Sequence, residues 1–417
     1  MRSASTIAAY FWSKWDYILP MFVWVMIFGQ NAFRQLSFLD FVPYVVYPAW
    51  KALALKGHLY NFFLYDLVTA PLYLVGVGAL AFQLSILLVM CIAYHFIRRL
   101  VGGTSRWMWM MVALFFFFNP FVYSELVAGR IGIIISYLLM PVYVYYLLYL
   151  CKGDLSRKAI IGVVISFSLS GTLSPHFFIL NMILLVIATF ALRPWEKVGS
   201  QRLLGAYMLI VLLLLALNAY WLQGLVFSGE ISRIGADDRA FFAPASSPGV
   251  PAIAKVVGMW GFWWDSGYVT TYRALPVWAW YGLLFVLVAL MLAGVVLSAG
   301  SERWFFFSIW VVGVILGTGA SHQWTAPFFD ALFFNVPFFR GFRESYKFVA
   351  LIALAYAFLI PAGVMAMQKK MRSRIFLPAL LVLFIVLYTY PMIGLSGQVS
   401  DQEYPSSYGQ VDDFLKM

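Results

Sequence analysis

The chain has 417 residues, of which 63% are hydrophobic and only 11% charged, and its mean hydropathy is +0.87. A soluble domain carries roughly a quarter charged residues, so a soluble globular class is excluded and an integral membrane protein is expected. The formal net charge of +11 comes without a long basic tract, which directs it toward anionic headgroups or anionic substrates and away from nucleic acid.

The apolar runs are helix-length rather than short and alternating, which excludes a transmembrane barrel. A span needs roughly 17–25 apolar residues. In chain order the runs fall at 18–33, 67–97, 106–124, 131–151, 158–173, 175–192, 203–226, 277–299, 303–320, 346–367 and 374–395. The expected fold is therefore all-α and polytopic, with about eleven transmembrane helices. Arg2 and Lys14 precede the first run with no small-residue cleavage site, so that run is read as a retained helix. The second run is long and contains Pro71, which suits an interfacial piece followed by a span. The fifth and sixth runs form a tight helical hairpin through GTLSPH. Cys91 and Cys151 lie inside apolar runs and are read as small buried residues, not as a disulfide or metal pair.

Alternate short loops hold the cations: Arg98, Arg99 and Arg106, then Lys152, Arg157 and Lys158, then Arg193, Lys197 and Arg202, then Arg303, and finally KKMRSR at 369–374. Basic loops stay cytoplasmic, so the N-terminus is expected in the cytoplasm and the C-terminus outside. Splitting the second run into two spans would break this alternation. The other loops, near 34–66, 227–276 and 321–345, are long and aromatic and carry acids. Chemistry or recognition is expected on their side. One polytopic domain is expected over 1–396. The polar tail 397–417 reads either as a short cap or as the start of a further extracytoplasmic domain.

A charge at membrane depth is costly and marks function. Asp40 in FLDFVPY and Asp66 in LYDLVTAP each suit a helix N-cap or an active carboxylate. Glu125 and Arg130 bracket SELVAGR and either pair with each other or serve a site. Asp237 and Asp238 in ADDRAF suit a solvated turn, and Asp265 in GFWWDSGY suits the water side of an aromatic belt. Trp260, Trp263 and Trp264 fit that belt, or the lining for an acceptor or lipid tail. His58, His176 and His322 are scattered over three outer loops without metal-ligand spacing. No Walker motif, Gly-rich phosphate loop or nucleophile elbow is present, so nucleotide hydrolysis is not supported.

The segment FFRGFRESYKF at 338–348 carries Arg340, Arg343, Glu344 and Lys347 at spacing i, i+3, i+4, i+7, one face if the segment is helical. These cations fall on the outer side, against the usual bias. They suit either lipid-headgroup snorkelling or a phosphate clamp, since Arg grips phosphate oxygens bidentately.

Three stretches carry a family resemblance: LDFVPYVVYPAWKALALKGHLY, NPFVYSELVAGRIGIIISYLLMPVYVYYL and FRGFRESYKFVALIALA. They resemble the GT-C superfamily of polyprenyl-phosphate-sugar-dependent glycosyltransferases. Within it they are most similar to the alpha-arabinofuranosyltransferase-like and YfhO-like multi-pass membrane proteins. Ser345 stands where that group usually has Pro. The resemblance implies a GT-C-like fold whose long extracytoplasmic loops carry juxtamembrane helices. It also implies a role in glycan biosynthesis at the cell envelope of a prokaryote, and an inverting transfer with Asp40 as the catalytic base. Donor phosphate would meet Arg340, Arg343, Lys347 and Arg130, and Asp66 and Glu125 are candidate second acids. The implied partners are a polyprenyl-phosphate sugar donor, a glycan, glycolipid or glycoprotein acceptor, and membrane lipids. The close acidic pair of many members is missing, so the resemblance implies no definite cofactor, and a divalent cation held by Asp40, His58 and Asp66 stays open. The alternatives are a non-catalytic membrane platform related to GT-C proteins and a lipid or glycan transporter.

Overall fold

The structure, a computed structural model, describes residues 17–32, 36–37, 78–102, 104–227, 234–244, 246–263, 276–369 and 375–401. Each of the eleven expected runs meets a helix there. These are α1 (Ile18–Phe28), α2 (Gly78–Leu100), α3 (Arg106–Phe117) with its continuation α4 (Pro120–Val127), α5 (Ile131–Cys151), α6 (Arg157–Leu173), α7 (Pro175–Leu192) and α8 (Ser200–Phe227). After two short helices, α9 (Ala236–Phe241) and α10 (Ala252–Val257), come α11 (Val277–Leu297), α12 (Glu302–Thr318), the short α13 (Ala326–Asn335), α14 (Val349–Gln368) and α15 (Phe376–Tyr388). Among the described residues nine helical segments are long and apolar enough to cross a membrane. The other two runs are shorter, 11 residues in α1 and 17 in α6.

Local chemistry sets the helix ends. Ser105 and Ser156 cap α3 and α6 by accepting from the backbone N–H of Met108 and Ala159. The NP dipeptide breaks α3 from α4: Pro120 starts the new helix, and extended Asn119 accepts from Val122 N at 3.1 Å. The Asn119 amide also donates to the carbonyls of Phe115 and Phe116, so the break leaves the carbonyls of the preceding turn satisfied. Ser174 alone separates α6 from α7, which makes the expected hairpin. Cys91 and Cys151 are free thiols.

The core is built on α14, whose residues from Val349 to Ala357 are fully buried. Glycines let its neighbours approach. A Cβ on Gly294 of α11 would overlap the Leu359 carbonyl of α14, and one on Gly363 would sit 2.6 Å from Gly294 N. On the other flank a Cβ on Gly313 of α12 would lie 2.8 Å from Ile352. Such small-residue contacts bring backbones together where lipid tails remove the hydrophobic drive between helices.

The bundle has two chemically different ends. One gathers Arg98, Arg99, Arg106, Lys152, Arg193, Lys197 and Arg303. There Lys152 pairs with Glu302, and Arg98 lies over the rings of Tyr17 and Trp109. The opposite end carries α4, α9, α10, α13 and the 338–348 segment. It also holds a two-residue antiparallel pairing of Leu36–Ser37 with Ser400–Asp401, so the chain after α15 returns to the chain leaving α1. Asn31 Nδ2 donates to Val399 O and Tyr123 OH to Gln398 Oε1, fastening the same return.

Candidate functional site

The charged residues singled out at 338–348 do not form one helical face. Phe339–Phe342 and Ser345–Phe348 are separate 3-10 turns, and Glu344 between them has φ −87° and ψ 88°. The entry is strained: Phe338 sits at φ 65°, a left-handed conformation that costs a non-glycine residue roughly 1–2 kcal/mol. Three stacked rings hold the turns in place. Phe342 lies 4.5 Å from Phe348, and Phe339 lies 5.4 Å from Phe342. Ser345, at the position where the resembling family has Pro, donates from Oγ to Gly317 O at 2.9 Å, a bond that Pro lacks the hydroxyl to make.

This geometry sorts the cations into two groups. Arg130 from the start of α5 grips Glu344 bidentately; its Nη2 lies 3.0 Å from Oε1, and Nη1 pairs with Oε2. Lys347 Nζ is 3.3 Å from the same carboxylate, and Arg130 is 3.8 Å from buried Glu125 of α4. Among the described residues two cations and two acids thus face each other with their charges in balance. Burial alone would raise the Glu344 pKa, but Lys347 and Arg130 outweigh it and hold the carboxyl down at about 2. His176 of α7 joins the cluster, with Nε2 3.0 Å from Lys347 Nζ.

Arg343 and Arg340 lie outside this balance and are half-buried. Arg343 rests 4.5 Å from the Phe242 ring and 3.7 Å from Asp238. Among the described residues Arg340 makes no ion pair. A Cβ on Gly341 between them would meet open space.

A roof covers the cluster. Three tyrosine hydroxyls pin the backbone at the end of α10 and just beyond it: Tyr356 to Val257 O, Tyr388 to Gly258 O, and Tyr346 to Met259 O. This brings Phe262 to 5.0 Å from the Arg130 guanidinium. Trp260 is buried between Tyr123 and Tyr388, so it packs the interior. Trp263 is partly buried against Phe241 and Phe242. Asp238 caps α9 through Gly235 N, and its neighbour Arg239 pairs with Asp330 of α13, so ADDRAF is a tethered helix and not a loose turn.

Asp40, Asp66, His58, Trp264 and Asp265 lie outside the described residues. Among the described residues no three of His, Cys, Asp and Glu gather as a metal site. His322 stands apart from the cluster, its Nδ1 accepting from Trp324 N. Sequence reasoning did not single out Tyr346 or the engagement of His176. The available signal was an SPH triplet at a hairpin mouth on the aromatic side.

The fold defines a class: a predominantly helical polytopic protein, with nine segments among the described residues long and apolar enough to cross a membrane. No family model matches the chain, and no curated protein matches it. Among solved structures it is similar to the arabinofuranosyltransferase AftD from mycobacteria, determined by single-particle cryo-EM. The TM-score is 0.62 at 14% identity, and the match covers 97% of this chain and 28% of that one. The chain thus spans less than a third of the length of the protein it resembles.

Proposed function

We propose that the chain is a membrane glycosyltransferase that takes a sugar from a polyprenyl-phosphate carrier and passes it to an extracytoplasmic glycan, lipid or protein. The observation that carries this reading is the likeness of 97% of the chain to the fold of a membrane arabinofuranosyltransferase. The positive-inside bias supports the orientation. The end rich in Arg and Lys is cytoplasmic, and the end carrying Glu125, Arg130 and 338–348 faces out.

The reaction is a single displacement with inversion. An acceptor hydroxyl loses its proton to the Asp40 carboxylate as its oxygen bonds to the anomeric carbon. The bond from that carbon to the phosphate oxygen breaks, and polyprenyl phosphate leaves with the electron pair. Charge grows on the phosphate as the bond breaks, so preorganised cations favour the transition state. Arg340 and Arg343, outside the balanced cluster, meet the phosphate directly. Arg130 and Lys347, already engaged by Glu344, contribute positive potential from behind. Trp263 and Trp264 suit the acceptor side, where aromatic faces meet sugar or lipid.

The test is reconstitution of the purified chain in liposomes with a panel of radiolabelled polyprenyl-phosphate sugars and glycan acceptors. Label moving from the lipid to the acceptor phase supports the proposal. Failure across the panel, with the lipid sugars shown to bind, sinks the transferase reading in favour of a non-catalytic platform.

A further inference from the structure

His176 meets two groups with one nitrogen. Its Nε2 lies 3.0 Å from Gly341 O and 3.0 Å from Lys347 Nζ. A protonated Nε2 donates to the carbonyl, and an unprotonated one accepts from the Lys347 ammonium; a single nitrogen cannot do both at once. With the proton on Nε2 the imidazole donates to Gly341 O and so joins the turn between Arg340 and Arg343 to α7, with Lys347 of the buried cluster beside the ring. Nδ1 is 3.3 Å from Ser174 Oγ, and the ring meets Phe342 edge-on at 5.2 Å, so the imidazole itself is held from both sides. The turn has few other polar ties: Gly341 N bonds to Phe338 O and Arg343 N to Arg340 O, both within the turn. Among the described residues, its one hydrogen bond to another helix from the middle of the turn is at Gly341 O, where a Cβ on Gly341 would meet open space.

We propose that His176 is a positioning residue for phosphate recognition: by donating from Nε2 to Gly341 O it holds the turn to α7 so that Arg340 and Arg343 face the phosphate of one isoprenoid lipid. This rests on the donor reading above. The group recognised is the phosphate of an isoprenoid lipid, a diester in the sugar donor and a monoester in the polyprenyl phosphate that leaves, so undecaprenyl phosphate probes the site in its product state, and the long isoprenoid tail alone is insufficient.

The test is binding of undecaprenyl phosphate to the full chain in nanodiscs, with undecaprenol and phosphatidylglycerol as comparison lipids. His176→Leu removes the donor to Gly341 O. His176→Gln keeps a donor, because its amide N–H₂ can reach Gly341 O. Losing one positioning hydrogen bond is worth about ten-fold in affinity, so His176→Leu is expected to bind undecaprenyl phosphate about ten-fold more weakly. His176→Gln is expected to stay close to wild type, and binding of the two comparison lipids is expected to be unchanged. Should the leucine variant not fold, His176→Asn serves instead; its side chain ends near the reach of Nδ1 and leaves Gly341 O without its donor. Wild-type affinity in His176→Leu or His176→Asn, with Arg340→Ala weakened, overturns the positioning role and leaves the donor reading standing. A wild type that binds undecaprenol as well as undecaprenyl phosphate sinks both.

Discussion

Replacing Glu344 with glutamine removes the one carboxylate among the described residues that both Arg130 and Lys347 contact. The magnitude follows from the site. The Glu344 pKa falls from the ordinary 4.5 to about 2 against the penalty of burial. At 1.36 kcal/mol per unit this is about 3 kcal/mol of folding stability at neutral pH. The sign is fixed by the depressed pKa. The contribution is fully present above the unfolded carboxyl pKa and is lost as pH falls through that value toward about 2. Denaturant unfolding in detergent, followed by tryptophan fluorescence, measures the gap between wild type and Glu344→Gln. The gap is expected to be about 3 kcal/mol and equal at about pH 7.5 and about pH 5.5, then to shrink below about pH 4. A variant as stable as wild type at neutral pH, or a gap that grows on acidification, refutes the reasoning.

Arg130→Ala breaks the same cluster from the other side and takes the bidentate partner from the buried Glu344 carboxylate, leaving it Lys347, so a loss of about 3–5 kcal/mol is expected in the same assay. Arg340→Ala, which breaks no ion pair among the described residues, is expected to unfold like wild type while weakening polyprenyl-phosphate binding. Gly294→Leu drives a side chain into the Leu359 carbonyl and should abolish a monodisperse size-exclusion peak; Gly205→Ala in α8, where a Cβ meets nothing within 4 Å, should be neutral or stabilising. Asn119→Ala removes the α4 cap and the amide bonds to Phe115 and Phe116, and should cost about 2–3 kcal/mol, read as a lowered thermal midpoint.

The helices were legible because a bilayer demands length and apolarity, and both are local properties of the sequence. The hairpin was legible in GTLSPH because Pro acts on its own backbone; the α3 to α4 break was not, since 106–124 reads as one apolar run although its NP dipeptide carries the local signal. Nor was the charged segment. The i, i+3, i+4, i+7 spacing suggested a single face, but Glu344 leaves helical geometry and separates the cations it sits among. The cause lies far along the chain: Arg130, 214 residues away, draws the carboxylate inward, and His176 reaches Lys347 across 171 residues. Spacing within one segment carries no information about such partners. The expected pairing of Glu125 with Arg130 across a short loop is present at 3.8 Å, but Glu344 holds the closer contact. Trp260 looked like surface lining because aromatic-rich loops suit a membrane interface. Its burial comes from Tyr123 and Tyr388, on α4 and α15.

The central claim is that the outward end performs glycosyl transfer with an outer-loop carboxylate as base. The most direct test is a single-turnover assay of wild type and Asp40→Asn, each saturated with a polyprenyl-phosphate sugar that the wild type binds. The account predicts transfer by the wild type, and in Asp40→Asn retained donor binding with transfer reduced at least about a hundred-fold, the low end of what a general base contributes. Equal transfer by both proteins, or donor binding by the wild type with no transfer to any acceptor, would contradict it.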